Sequence, residues 1–288
     1  MRTALVLGGH GFIGHHLARR LKSEGYWVRT VDINEYTYDE HFRGEVDDYV
    51  IGDLRNIDVC ERVFYTPENR AFDEVYALAA EMGGAGIIFE GSADAKIMHD
   101  SLLLNINAAE MSRKSGAGKV FFSSSACCYN QDLQKDPENV RLTEDTAYPA
   151  NPDSDYGWEK LTSERLYQAY ARNHDMEVHV ARFHNIFGPE GSWGNGREKS
   201  PAAMCRKIAT AKDGDSIEVW GSGEQTRSYL YIDECLEGIR RLMDSDFQGP
   251  VNIGSEEMVS INQLVEIIKG IAGKPDITIK HIEGPLGV

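Results

Sequence analysis

Near its start the chain reads Leu5-Val6-Leu7-Gly8-Gly9-His10-Gly11-Phe12-Ile13-Gly14, an apolar run passing straight into a turn with glycines at 8, 11 and 14 and then into an amphipathic stretch. A strand joined to a helix by such a turn lets backbone amides approach a pyrophosphate, whose charge the positive end of the helix stabilises. Residues 3–7, 12–23 and 27–31 therefore predict a βαβ unit. Asp32 closes the second strand, where a carboxylate takes both ribose hydroxyls and repels a 2′-phosphate. The expected cofactor is NAD, held by Gly8, Gly11, Phe12, Ile13, Gly14 and Asp32. Asp53, after Val50-Ile51-Gly52, reads either as an adenine contact or as a helix N-cap.

Strand patterns recur at 48–51, 74–78, 119–123 and 178–183, with helical patterns at about 57–65, 100–114 and 156–172. This alternation predicts an α/β fold, a Rossmann-type doubly wound parallel sheet followed by a smaller C-terminal α/β substrate-binding domain. The expected division is 1–184 plus about 229–254 for the cofactor, and 185–228 plus 255–288 for the substrate. No repeat or Ser/Pro-rich linker separates them, so a soft boundary within one body is expected. Gly188 to Gly196 holds four glycines and a proline and reads as a long functional loop. Ser260 with Gln263 is a capping box ahead of a last helix. After residues 277–282, Gly284-Pro285-Leu286-Gly287-Val288 closes the chain with no final helix, and the smaller domain is expected to be truncated there.

Composition narrows the function classes. With 30 Lys+Arg against 46 Asp+Glu, the net charge of −16 excludes a nucleic-acid binder driven by bulk positive charge. No apolar run approaches the ~18 residues of a membrane span, and a cytoplasmic location without membrane contact is expected. The five cysteines, 60, 127, 128, 205 and 235, form no CxxC pair and are expected to be free thiols. His10, His15 and His16 cluster near the glycine turn, but neighbours on a helix point different ways and no acid or thiol lies at ligand spacing, so no metal is expected.

Tyr156-Gly157-Trp158-Glu159-Lys160 places a phenol and an ammonium on one helix face. A tyrosine with a pKa of about 10 is a poor base at neutral pH, and a lysine cation beside a positive nicotinamide ring is expected to lower it. Ser123-Ser124-Ser125-Ala126, following a strand, completes a centre for hydride transfer at a sugar carbinol.

With these motifs go Leu78-Ala79-Ala80-Glu81-Met82-Gly83-Gly84, Ser124-Ser125-Ala126-Cys127, Arg182-Phe183-His184-Asn185-Ile186-Phe187-Gly188-Pro189, Gly196-Arg197-Glu198-Lys199-Ser200-Pro201-Ala202-Ala203 and Gln225-Thr226-Arg227-Ser228. Over nearly its whole length the chain resembles the extended short-chain dehydrogenase/reductase superfamily and, within it, the GDP-mannose 3′,5′-epimerase family. The resemblance implies NAD, GDP-mannose as substrate and a homodimer formed by helices of the cofactor domain. It implies catalytic roles for Tyr156, Lys160, Cys127 and Lys199. It also implies that Gly83, Ser125, Ala126, Cys127, Asn185, Glu198, Lys199, Ser200, Lys207, Gln225 and Arg227 line the substrate site. Simpler 4-epimerases of the superfamily carry Thr or Ser where Cys127 stands. A thiol, with a pKa of about 8.5, is the better acid or base, which suggests exchange of protons at C3 and C5 after oxidation at C4. By residue type alone Cys127 also reads as a buried space-filler, and Lys199 as a solvated loop charge or a phosphate ligand. Cys128, the next residue, reads as packing. Ser200 stands where the resemblance leads one to expect alanine. Other readings are an enzyme of this superfamily acting on a UDP-hexose or a GDP-heptose, and a non-catalytic NAD-binding scaffold.

Overall fold

Every residue of β1 (Thr3–Leu7) is buried, as a central parallel strand covered on both faces must be. The computed structural model describes residues 1–39, 41–134, 142–194 and 196–284. Residues 285–288, the last of the closing tail, lie outside the described residues. After β1 come α1 (Phe12–Ser23), β2 (Trp27–Asp32), α2 (Phe42–Glu45), β3 (Asp48–Ile51), α3 (Ile57–Val63), β4 (Glu74–Ala77), α4 (Ala85–Phe89), α5 (Asp94–Ser115) and β5 (Lys119–Ser125). The chain continues through α6 (Asp155–His174), β6 (Glu177–Phe183), β7 (Ile186–Phe187), α7 (Ser200–Thr210), β8 (Ser216–Trp220), β9 (Thr226–Ser228) and β10 (Leu230–Tyr231). It ends with α8 (Ile232–Met243), β11 (Val251–Ile253), β12 (Met258–Ser260), α9 (Ile261–Ala272) and β13 (Thr278–Ile282).

The main sheet has seven strands in the order β11-β6-β5-β4-β1-β2-β3, and every pair is parallel. It is the doubly wound sheet that the alternation predicts. Side chains along β1 divide by parity. Ala4 and Val6 join Leu17 and Leu21 of α1 and Leu236 and Ile239 of α8 on one face. Leu5 and Leu7 join Val59 of α3, Met111 of α5 and Tyr167 of α6 on the other. A separate apolar cluster joins Met204 and Ile208 of α7, Ile217 and Val219 of β8, and Ile261 and Val265 of α9. There β8 pairs in parallel with β13, and β9 antiparallel with β12.

The capping box ahead of α9 is formed in full: Ser260 Oγ accepts the Gln263 N–H at 3.1 Å, and the Gln263 side chain accepts the Ser260 N–H at 2.8 Å. Helix α5 begins six residues before the periodic pattern at 100–114, because its first turn is polar and held by ion pairs of Lys96 with Glu81 and Asp100.

Candidate active site

The glycine turn is built by close contact. Gly8 has φ +80°, and a Cβ there would meet the Ala79 amide nitrogen at 2.7 Å; a Cβ on Gly14 would meet the Gly8 carbonyl at 2.1 Å. Gly11 is the N-cap of α1, no side chain caps that end, and no acid occupies the first turn, so its amides face an incoming anion. Phe12 and Ile13 begin α1 and pack on the core. The Asp32 carboxylate accepts the N–H groups of His10 at 3.3 Å and Asn34 at 3.1 Å at the strand end. This cradle fits a dinucleotide. Of the two readings of Asp53, the N-cap is excluded: α3 is capped by Asn56, which accepts the Asp58 N–H at 2.9 Å. Asp53 instead takes the Arg55 guanidinium at 2.7–3.1 Å, and that hydrogen bonding holds its carboxyl below the usual range.

At the end of β5, Ser125 Oγ accepts the Cys127 N–H at 3.2 Å and starts a 3-10 turn, Ala126–Cys128. Helix α6 begins against that turn. Ser154 Oγ caps it by accepting the Gly157 N–H at 3.3 Å, and a Cβ on Gly157 would lie 2.1 Å from the Cys127 carbonyl. Glycine follows Tyr156 because the helix lies on Cys127. The β5 end is also fixed from behind, where Ser124 Oγ donates to Glu164 at 2.5 Å and Arg182 holds the same carboxylate at 2.8 and 2.9 Å. Arg182 and Glu164 are buried, and removing one partner of such a pair costs about 3–5 kcal/mol.

Tyr156 and Lys160 are 6% and 2% exposed. Lys160 Nζ donates to the Ser123 carbonyl at 2.9 Å and stands 5.7 Å from the centre of the Tyr156 ring. Burial pushes the Tyr156 phenol well above its ordinary value, Cys127 and Glu159 push it further, and a Ser125 hydrogen bond opposes them. Burial lowers Lys160, against the charges of Glu159, Cys127 and Glu164. The expectation of a lowered phenol is thus corrected for the protein alone: desolvation sets the direction.

Lys199 lies at the end of the loop before α7, where it is the N-cap residue, with Pro201 in the first turn. Two glycine-bearing motifs interlock to place it. A Cβ on Gly84 would meet the Glu198 carbonyl at 2.4 Å, while Arg197 pairs with Glu81 at 3.0 Å and donates to the Met82 carbonyl at 2.9 Å. Glu198 pairs with Arg206 at 2.8 Å, and Ser200 Oγ lies 2.7 Å from the Tyr229 hydroxyl. Burial raises the Cys127 thiol, against a Ser125 hydrogen bond and, beyond the opposing charge of Asp153, the cations of Lys199 and Arg227. Burial lowers Lys199, against Cys127 and Cys235. Each of the two groups thus acts on the other's proton affinity, so they titrate as a pair. Cys128 is fully buried beside Tyr129 and Leu161.

Residues 4–254 match the pattern of the NAD dependent epimerase/dehydratase family. The chain belongs to that family. It is 45% identical to GDP-mannose 3,5-epimerase 1 of Oryza sativa subsp. indica over 98% of this chain and 72% of that protein. It is 44% identical to GDP-mannose 3,5-epimerase of Arabidopsis thaliana over the same shares. Among solved structures, UDP-glucose 4-epimerase of Thermotoga maritima with UDP-glucose is similar at TM-score 0.82 and 25% identity, over 98% of this chain and 87% of that one.

In this epimerase/dehydratase chain, several sequence-predicted substrate residues have protein partners of their own. Lys207 donates to the Glu218 carbonyl of β8 at 2.5 Å, and Gln225 donates to the Trp220 carbonyl at 3.0 Å. Arg227, on β9, donates to the Thr226 carbonyl at 2.7 Å while its charge reaches Cys127. Asn185 has φ +35°, and its carbonyl accepts the Leu230 N–H at 3.3 Å. Gly83 packs on Ile87, where a Cβ would meet the side chain at 2.6 Å. Sequence reasoning missed Asp153 near Cys127, Cys235 near Lys199, and the Glu81–Arg197 pair. The first had a local signal, lying just before the start of α6. The others meet only through tertiary structure. The argument against a histidine cluster also needs correction: the His15 and His16 ring centres lie 4.0 Å apart, and Glu190 brings a carboxylate from far along the chain.

Proposed function

We propose that this chain epimerises GDP-α-D-mannose at C3 and C5 to GDP-β-L-galactose, with GDP-L-gulose as the C5-only product, through transient oxidation at C4. The observation that carries this reading is the placement of Cys127 on the turn packed against the start of α6, beside Tyr156, where the charge of Lys199 acts on its thiol. Bound NAD supplies the hydride acceptor and donor for C4. Gly8, Gly11, Phe12, Ile13, Gly14 and Asp32 would hold it, with Asp53 towards the adenine.

Tyr156 takes the C4 hydroxyl proton as the alcohol is oxidised and returns it on reduction. Lys160, anchored on the Ser123 carbonyl, holds a positive charge under that phenol. A C4 ketone acidifies the protons on C3 and C5. Lys199 and Cys127, on opposite faces, remove a proton from one face through an enolate and deliver one to the other. Arg227 suits the diphosphate because a planar guanidinium takes two oxygens at once. Glu198, Ser200, Ser125, Ala126, Asn185, Gly83, Lys207 and Gln225 complete the proposed sugar-nucleotide surface. The same reading takes the enzyme as a cytoplasmic homodimer, with the five cysteines as free thiols and α5 and α6 at the subunit contact.

The test is incubation with GDP-mannose in D2O without added NAD, read by NMR and mass. Deuterium at both C3 and C5 with a galactose-type product is expected. Folded, NAD-loaded protein giving no deuterium at either carbon would overturn the reading.

A further inference from the structure

Beside the cofactor turn, outside the proposed catalytic groups, three metal-ligating side chains converge from two distant parts of the chain. His15 and His16 lie in the first turn of α1, and Glu190 lies on the loop after β7. One donor atom from each falls within 4.8 Å of the other two. The His15 side chain is 0% exposed, and its Nε2 lies 2.8 Å from Glu190 Oε2 yet makes no hydrogen bond.

The outer partners fix the tautomers. His15 Nδ1 is 2.9 Å from the Gly11 carbonyl, and His16 Nε2 is 3.1 Å from the Pro189 carbonyl. A carbonyl only accepts, so each of these nitrogens carries the proton. The remaining nitrogens, His15 Nε2 and His16 Nδ1, keep their lone pairs. Imidazoles held this way by backbone carbonyls are the usual arrangement around a bound metal.

Among the described residues, Arg19 pairs with Glu190 at 2.9 Å and competes for it. It is also held by Asp39 at 2.8 Å and Glu45 at 2.6 Å. Three carboxylates thus surround one guanidinium, so the carboxylates outnumber the cation that they share. Two imidazoles and a carboxylate form a donor set for zinc-like ions, with water completing the coordination.

We propose that His15, His16 and Glu190 bind one divalent transition-metal ion, which ties the first turn of α1 to the 188–191 loop. A Cβ on Gly188 or on Gly191 of that loop would lie 3.5 Å from the Phe12 ring, so the loop runs beside the start of α1 and the ion would clamp it over the cofactor turn.

The holoenzyme, stripped with a chelator, should be titrated with Co2+ and followed by absorbance and calorimetry, then heated with and without Zn2+. Expected are one equivalent of Co2+ without thiolate-to-cobalt charge transfer, and a melting point raised by Zn2+. His16→Ala and Glu190→Gln, each shown by circular dichroism and NAD content to be folded, should each weaken Co2+ by more than about 100-fold and abolish the thermal shift. Absence of stoichiometric binding would overturn the site. So would binding that survives both substitutions, or a thiolate band that moves the ion to a cysteine.

Discussion

In the proposed mechanism, the side chain that separates this centre from simple C4 oxidation is Cys127. Cys127→Ser keeps the size and the backbone hydrogen bond to Ser125 but loses a group that can exchange a proton with carbon near neutral pH. Exchange at C3 and C5 should fall by about 10²–10⁴-fold, while reduction of bound NAD at C4 persists. Stopped-flow absorbance of NADH together with deuterium incorporation checks this, and unchanged incorporation would remove Cys127 from the chemistry. The pH profile of exchange follows from the same pair. Burial moves Lys199 down and Cys127 up, and each group's charge acts on the other, so the two limbs of the bell belong to the pair and not to either residue. In Lys199→Met one limb should vanish while the C4 half-reaction keeps its own profile.

At the scale of elements, Gly157 decides how closely α6 approaches the Cys127 turn. A Cβ there would overlap the Cys127 carbonyl at 2.1 Å, and the obstacle is backbone, which cannot swing aside. Gly157→Ala should push Tyr156 and Cys127 apart. A misplacement near 1 Å costs about 10²-fold in kcat, and overpacking of this kind costs about 1–3 kcal/mol of stability. Kinetics and a melting curve together test it, and wild-type kcat would show that the close approach is dispensable. The strand and helix of this motif were legible because their apolar periods were clean: β1 and α1 fall at residues 3–7 and 12–23, as the sequence predicts. The reason for glycine at 84 and 157 was not legible, since each meets a carbonyl from a different segment, Glu198 in one case and Cys127 in the other. Tyr156 showed its spacing to Lys160 but not its desolvation, which reverses the expected shift of the phenol in the protein alone. Adjacent histidines misled for a related reason: the helix sets their spacing, but the distant Glu190 loop decides what they meet.

At the scale of the whole molecule, the net charge of −16 opposes a diphosphate substrate only at long range, because charges beyond about 8 Å are screened at physiological salt. The charges of Lys199 and Arg227 both act on Cys127 in the proposed site, so the acidic surface leaves the proposed substrate assignment intact. The acidic exterior also bears on self-association, which has to rest on an apolar face. Helices α5 and α6 pack on each other, and Ile106 of α5 and Trp158 of α6 are 46% and 40% exposed. Two such faces brought together would bury both side chains in a four-helix contact. Ile106→Arg places a charge in that contact without touching the core or the cofactor turn, so folding and NAD content should be preserved while the dimer dissociates. Sedimentation velocity should give twice the chain mass for the wild type and the single-chain mass for the variant. A wild type that sediments as a monomer would discard the dimer, and a variant that stays dimeric would move the contact away from α5.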